Sequence, residues 1–280
     1  MMVQGAPAGE ATFVCTMAEH NDLCGQFARA FGNDKFEPLD PFEEMVYVVS
    51  HHDYGWNDWD AKPALDPKTR LPAGIGGTPG RESVESNRKS PDINERHHLY
   101  CGLLSSMHSW GLFNDRFGLS SFRVRAGGSL SVPIPKDYQD GAVKMLEGEK
   151  ERQKRLREQL AADPKTRSWV EEKKLFQSYK QLQFFDTLAL YFNLRNERDR
   201  KDEVYSHVPR NAKEDSNVTV KNRGNGVYSF APFPFKGDRL EVACSGRYTQ
   251  PLAEGLSPDK VGAALRELPT KAQKYIFVPG

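Results

Sequence analysis

The sequence has little that would mark it for a membrane, a nucleic acid or an oxidising compartment. Its 39 Lys and Arg nearly balance 38 Asp and Glu, leaving a formal charge of +1. Without a basic excess, nothing global draws the chain to nucleic acid or to an anionic bilayer. No apolar run is long enough to span a membrane, and the opening MMVQGAPAGE has neither the basic nor the apolar region of a signal peptide. The four cysteines, Cys15, Cys24, Cys101 and Cys244, form no CxxC pair, which argues against a zinc ribbon and for reduced thiols. There is no internal repeat. The expectation is a cytoplasmic chain that works on a small-molecule substrate, with neither nucleic acid nor membrane as partner and its oligomeric state open.

What is present fits an ordinary globular protein: 280 residues, 38% hydrophobic and 28% charged, enough for one large domain or a domain with an appendage. TFVCTM (12–17) reads as a short strand. Leu23, Cys24, Phe27, Ala28 and Phe31 then fall at helical spacing, and Gly32-Asn33 ends that helix. A second helix is predicted from Asp40-Pro41, a good cap followed by Pro, with Phe42, Met45, Val46 and Val49 on one face and Gly55 closing it. Residues 57–92, rich in Pro, Gly, Asp and Ser, predict a long ordered loop, and INERHHLYCGLLSSMHSWGLF (93–113) a third helix. Ser120 to Pro135 reads as β-like or irregular, 137–162 as an exposed charged helix, and 167–193 as a helix ending in QLQFFDTLALYF. After Ser206, β-rich runs separated by Gly-Asn-Gly and Lys-Gly-Asp signal a hairpin or meander. LSPDKVGAALREL adds a short helix and KYIFVPG a last strand. The fold class expected is mainly α: a helical core over 11–200, with a small C-terminal β appendage over 206–280 joined by the N-terminal strand.

Ionisable residues sit where that helical pattern calls for apolar ones. His20 heads the stripe Leu23, Cys24, Phe27; His52 and Asp53 continue 42, 45, 46, 49; His108 aligns with Leu104 and Cys101; and Asp186 lies among Tyr179, Leu182, Gln183, Ala189 and Leu190. His51 points about 100° away from His52. Buried charges are rare unless paired or coordinated. Each residue alone has a plain alternative, such as a core histidine bonded to a carbonyl or an aspartate paired with an arginine. Five together point to a metal, one or two divalent ions of iron, manganese, zinc or nickel. Around them, Trp56 is expected as pocket wall, Asp60 as an outer support, and Gln183 as a neighbour of the site or substrate. GIGGTPG (74–80) lacks the GK[ST] of a phosphate-binding loop. Arg81, Arg88, Arg123 and Arg125 are unranked candidates for holding an anion. EGEKERQKRLREQ reads as a solvated helix face, and the Asn217-Val-Thr sequon carries little meaning in a cytoplasmic chain.

The pattern His20, His52-Asp53-x-Gly and a late Asp186 in FFDTLALYF resembles the HD superfamily of metal-dependent enzymes. More closely, AEHNDLCGQFARAFG, HHDYGWNDWD, YCGLLSSMHSWGL, LQFFDTLALYF and YSFAPFPFKGDRLEV resemble the bacterial domain-of-unknown-function family 3891. PKTRLPAGIGG departs from it: Arg70 stands where a Gly is expected after the Thr. The resemblance implies an HD-like helical fold gathering H…HD…D around metal, and three readings. One is a metal-dependent hydrolase of small phosphoesters or related anions. The second is a dinuclear iron oxygenase similar to myo-inositol oxygenase, in which Asp53 would bridge two irons and His108 would bind the second. The third is a non-catalytic metal- or ligand-binding module. His97 lies roughly 16 Å from His108 along a continuous helix, too far for ions about 3.5–4 Å apart. Five good ligands are one short of the oxygenase pattern, which favours the hydrolase.

Overall fold

The computed structural model describes residues 1–119 and 132–280. Arg123, Arg125 and most of the β-like reading of 120–135 lie outside the described residues. Strands β1 (Met2–Val3) and β2 (Thr12–Cys15) lead into helix α1 (Met17–Ala30). Thr16 opens α1 with a reciprocal cap: its hydroxyl accepts from the Glu19 N–H, and the Glu19 carboxylate accepts from the Thr16 N–H, satisfying two donors locally.

Helix α2 (Phe42–Val49) is shorter than its pattern suggested. The predicted run to Gly55 instead becomes a turn and a 3-10 segment, Tyr54–Trp56, followed by α3 (Asn57–Ala61). Successive bonds from His51 N to Val48 O, Tyr54 N to His51 O and Trp56 N to Asp53 O keep the chain winding, so His52 and Asp53 still turn inward.

The loop expected over 57–92 contains the start of α4 (Gly80–His97). The buried face of α4 is Val84, Ser86, Asn87, Ser90, Pro91 and Asn94; packed mainly through small polar side chains, it carries no hydrophobic period to read. The helix expected over 93–113 is in fact the end of α4 and α5 (Leu99–Phe113), broken at His98 (φ −157°, ψ 144°). There the His98 imidazole accepts from the Tyr100 N–H and caps α5. Helix α6 (Gln139–Ala162) buries Ala142, Met145, Leu156 and Leu160, and α7 (Glu172–Leu194) is buried almost all round in its second half.

Five further strands follow, β3 (Glu203–Pro209), β4 (Asp215–Gly224), β5 (Val227–Ala231), β6 (Leu240–Thr249) and β7 (Lys271–Pro279), with α8 (Pro258–Glu267) before the last. The expectation of a mainly helical core with a small β appendage does not hold. Among the described residues helix takes 51% and strand 20%, and the strands form one sheet in the order β1-β2-β6-β7-β5-β4-β3. All neighbours are antiparallel except β5 and β7. β2 lies inside it, Thr12 opposite Thr249 and Val14 opposite Arg247.

The physical reason is the inner face of the sheet. Phe277 packs against Phe27 of α1 (5.6 Å between ring centroids) and Phe192 of α7 (5.4 Å), and Tyr275 against Phe192 (4.4 Å). Helices and sheet thus share one hydrophobic core that runs from Met2 to Phe277. No helix among the described residues is long and apolar enough to cross a membrane.

At the departure PKTRLPAGIGG, Arg70 adopts φ 55°, the left-handed region that glycine occupies without cost. Its N–H donates to Asp66 O and its carbonyl accepts from Leu252 N, each at 2.8 Å.

Candidate metal centre

Four segments bring the ionisable residues together. His20 lies one turn into α1, and His52 and Asp53 lie in the turn after α2. His108 projects from α5 and Asp186 from α7. All five are buried, with relative exposures of 0%, 0%, 5%, 1% and 4% in that order. The His-Asp turn is held from behind by α4 and α5: Asn94 Nδ2 donates to His51 O (2.9 Å), and Ser105 Oγ to His52 O (3.2 Å). Gly55 permits that approach. A Cβ there would lie 2.1 Å from Ser86 O and 2.7 Å from Ser90 N, so any other residue would push α4 away.

The acceptor atoms converge. His20 Nε2 is 3.4 Å from Asp186 Oδ1, His52 Nε2 is 3.9 Å from the same oxygen, and His52 Nε2 is 3.5 Å from Asp53 Oδ2. Donors held about 2.1 Å from a central ion lie about 3.4 Å apart in a tetrahedral site and about 3.0 Å in an octahedral one. These edges therefore fit a shared ion with a small contraction. His52 Nε2 and Asp53 Oδ1 are buried and lack hydrogen-bond partners, a costly state unless something else satisfies them.

The hydrogen-bond network assigns the tautomers. His20 Nδ1 faces Asn193 Oδ1 at 2.8 Å, and His52 Nδ1 faces the Val49 carbonyl at 2.9 Å. Both partners only accept, so both rings carry a proton on Nδ1 and turn Nε2 inward, the nitrogen whose lone pair a bound ion would take. His108 is the reverse. Arg116 Nη1 donates to Gln183 Oε1, and an arginine cannot accept. The Gln183 amide nitrogen must then face His108 Nδ1, 2.9 Å away, and donate to it. The neutral His108 ring thus bears its proton on Nε2, which lies 3.7 Å from Asp53 Oδ1.

Charge follows the same division. Burial opposes the His52 cation, but Asp53 and Asp186 raise its pKa to about 9. Burial would raise Asp186, yet the His20 and His52 rings facing its Oδ1 hold it well below the usual carboxylate range, with His108 and Arg116 assisting. Burial pushes Asp53 up, with His52 opposing. Burial and the His52 charge push His108 well below its ordinary value, so it is neutral. Cys24 Sγ lies 3.6 Å from His20 Nε2. Burial and the neighbouring Asp186 raise its pKa well above that of a free thiol, and its Sγ also reaches Phe185 O at 3.6 Å; with His20 and His52 it forms a group that could hold an ion once the thiol is deprotonated.

The site opens into a cavity of about 320 Å³ whose described lining includes Asp53, His108, Arg116 and Asp186. Trp56 forms part of its wall. Gln183 bridges His108 and Arg116. Asp60 touches none of the ligands; its carboxylate instead accepts from the Met17 N–H at 2.5 Å, steadying the first turn of α1 ahead of His20. His51 points away, stacked on Tyr47 at 4.0 Å with Nδ1 bonded to Tyr47 O, and His97 stacks on the same tyrosine.

Two residues of the site escaped sequence reasoning. Asn193 follows Asp186 by seven residues, two turns along the same face of α7, so its signal was present. Arg116 had none: it sits past α5 with φ 47° and ψ 43°, outside any helical or strand period.

The family model described as a protein of unknown function, DUF3891, matches residues 1–250. The chain belongs to that family. In this DUF3891 protein the matched span takes in all five clustered residues, Asn193, Arg116 and the sheet as far as β6. Neither a curated protein nor a solved structure matches the chain.

Proposed function

We propose that His20, His52, Asp53 and Asp186 hold one divalent ion, and that the protein is a metal-dependent hydrolase of the HD type, acting on a small phosphoester or related anion. The observation that carries the reading is the opposed tautomers. Two imidazoles donate Nδ1–H to outer acceptors and turn Nε2 toward two carboxylates, ready to bind an ion in place of a proton, while the third turns an N–H toward the same space. The bound ion would supply Lewis acidity and an acidified water. His108 Nε2–H is placed to donate to an oxygen of the substrate or its leaving group. Asp53 Oδ1, without a partner, is placed to accept a proton from water. Asp186 divides its oxygens, Oδ1 toward the histidines and Oδ2 toward Arg116 at 3.4 Å.

The dinuclear oxygenase reading requires a His108 lone pair for a second ion. The Gln183 donor opposes this by placing a proton on that nitrogen. A non-catalytic ion-binding module would share the site and lack turnover.

Metal analysis of protein purified without oxygen tests the reading. One divalent ion per chain is expected, retained by His51→Ala and His108→Ala and lost by Asp53→Ala. Hydrolysis of aryl phosphates should fall by about 10²–10⁴ in His108→Ala if the residue acts as proton donor. Two ions in the wild type and one in His108→Ala, with oxygen consumed by the reduced form, would overturn the hydrolase in favour of the oxygenase. One ion bound with no turnover would favour the module.

A further inference from the structure

We infer that the cavity takes a small anion with an apolar body, its charged group held by Arg116 and His108, and that it rejects polyhydroxylated substrates such as sugar phosphates and nucleotides; this rests on the metal reading above and names the substrate class of that site. Arg116 is the first observation. It is 2% exposed, its Nη1 is committed to Gln183 and Asp186, and its Nε meets no acceptor. The Asp53 and Asp186 carboxylates balance a divalent ion. With the imidazoles neutral, the Arg116 guanidinium is then left uncompensated in a buried site. A buried charge of that kind is costly until an opposite charge joins it.

Geometry directs the anion. Gln183 binds Arg116 through its oxygen and His108 through its nitrogen, locking two donors side by side on the cavity floor. Both can only donate in this arrangement, so an anionic group with several acceptor oxygens suits them better than a hydroxyl, which accepts through one oxygen and brings a proton that neither can take.

The wall sets the rest of the molecule. Beyond Asp53, His108, Arg116 and Asp186, only Ser83 and Asn87 among the described lining residues bring polar side chains. The Asn87 amide nitrogen is already bonded to Ser83 O at 2.9 Å, leaving its oxygen unpartnered. Met17, Trp56, Ile75, Leu112, Leu190 and Leu194 supply most of the remainder. A sugar would bury several hydroxyls against those side chains, and each one left unpaired weakens binding roughly tenfold. At about 320 Å³ the space is at the small end of ligand cavities, which span about 300–1,000 Å³.

Calorimetric titration of phenyl phosphate, ribose 5-phosphate and inorganic phosphate tests this, on full-length protein both metal-free and Mn(II)-loaded. Phenyl phosphate should bind at least tenfold more tightly than either of the others. Arg116→Gln should lose tenfold or more for phenyl phosphate. Because that variant also removes the support of Gln183, Ile75→Ser on the wall provides a second arm, and it should narrow the preference for the aryl ester. Equal or tighter binding of ribose 5-phosphate by folded wild type would overturn the inference. The hydrolase reading can fail separately. If no metal binds but metal-free protein still prefers phenyl phosphate, the substrate class stands without the hydrolase. If the metal-loaded protein hydrolyses sugar phosphates preferentially, the hydrolase stands without the substrate class.

Discussion

The Gln183 amide nitrogen lies 2.9 Å from His108 Nδ1, and Arg116 on its other side decides which way round that amide sits. One side-chain amide therefore sets whether a buried histidine offers the site a lone pair or a proton. Gln183→Glu would replace the donor with an acceptor, moving the His108 proton to Nδ1 and freeing Nε2. Long-range nitrogen–proton NMR of the metal-free proteins should show the Nε2–H tautomer in wild type and the Nδ1–H tautomer in the variant. Finding Nδ1–H in wild type would return His108 to the ligand set.

The His52 proton makes metal-free protein sensitive to alkali. Its pKa of about 9, raised by Asp53 and Asp186 against the effect of burial, exceeds the ordinary 6.5. His20, His108 and Arg116 share the same enclosure. The folded state holds this proton more tightly than the unfolded chain. Its stabilising effect is therefore complete below pH 6.5 and is lost as pH rises through about 9, amounting to about 3 kcal/mol. Denaturation curves in chelator between pH 6.5 and 9 should show that decline, and His52→Gln should flatten it. A bound metal ion replaces the proton, so its apparent affinity should rise about tenfold per pH unit up to about 9. Calorimetry in two buffers should count one proton released.

Gly55→Ala should harm the site from behind. The new Cβ would meet the Ser86 carbonyl and Ser90 backbone nitrogen, and neither can move without shifting α4. A loss of about 1–3 kcal/mol in denaturant-measured stability is expected, together with weaker metal binding. Wild-type values for both would show that α4 does not support the His-Asp turn.

Asn193→Leu should leave the His20 Nδ1–H buried and unpaired. Loss of such a support commonly lowers metal affinity about 10–100-fold, whereas Asn193→Asp keeps the acceptor and should retain binding. Competition with a chromophoric chelator measures both. Unchanged affinity in the leucine variant would exclude His20 as a ligand oriented by Asn193.

Legibility in the sequence followed the reach of each signal. His20, His108 and Asp186 could be placed because α1, α5 and α7 carry apolar stripes that these residues interrupt. His52 and Asp53 are buried, although α2 stops at Val49 and a turn, not a helix, aims them inward. α4 was hidden because its buried face is mainly Ser86, Asn87, Ser90 and Asn94. The sheet was misjudged because alternation shows which face of a strand is buried but not which strand lies beside it. Nothing local in TFVC indicates that Thr12 pairs with Thr249. The role of His108 was beyond spacing altogether, since it depends on the orientation of one amide set by a residue 67 positions from it.

The pairing of β2 with β6 also bears on how the protein is made. A nascent chain that has emerged as far as Leu194 already contains His20, His52, Asp53, His108, Arg116 and Asp186, yet α1 and α7 still lack the surface they pack on. Contacts of such long sequence separation form slowly, and until they form the core aromatics of both helices remain open to other chains. On the proposed reading metal capture would be a late event in biogenesis, and a fragment ending near residue 200 should emerge as a client of chaperones rather than as a metal-binding protein.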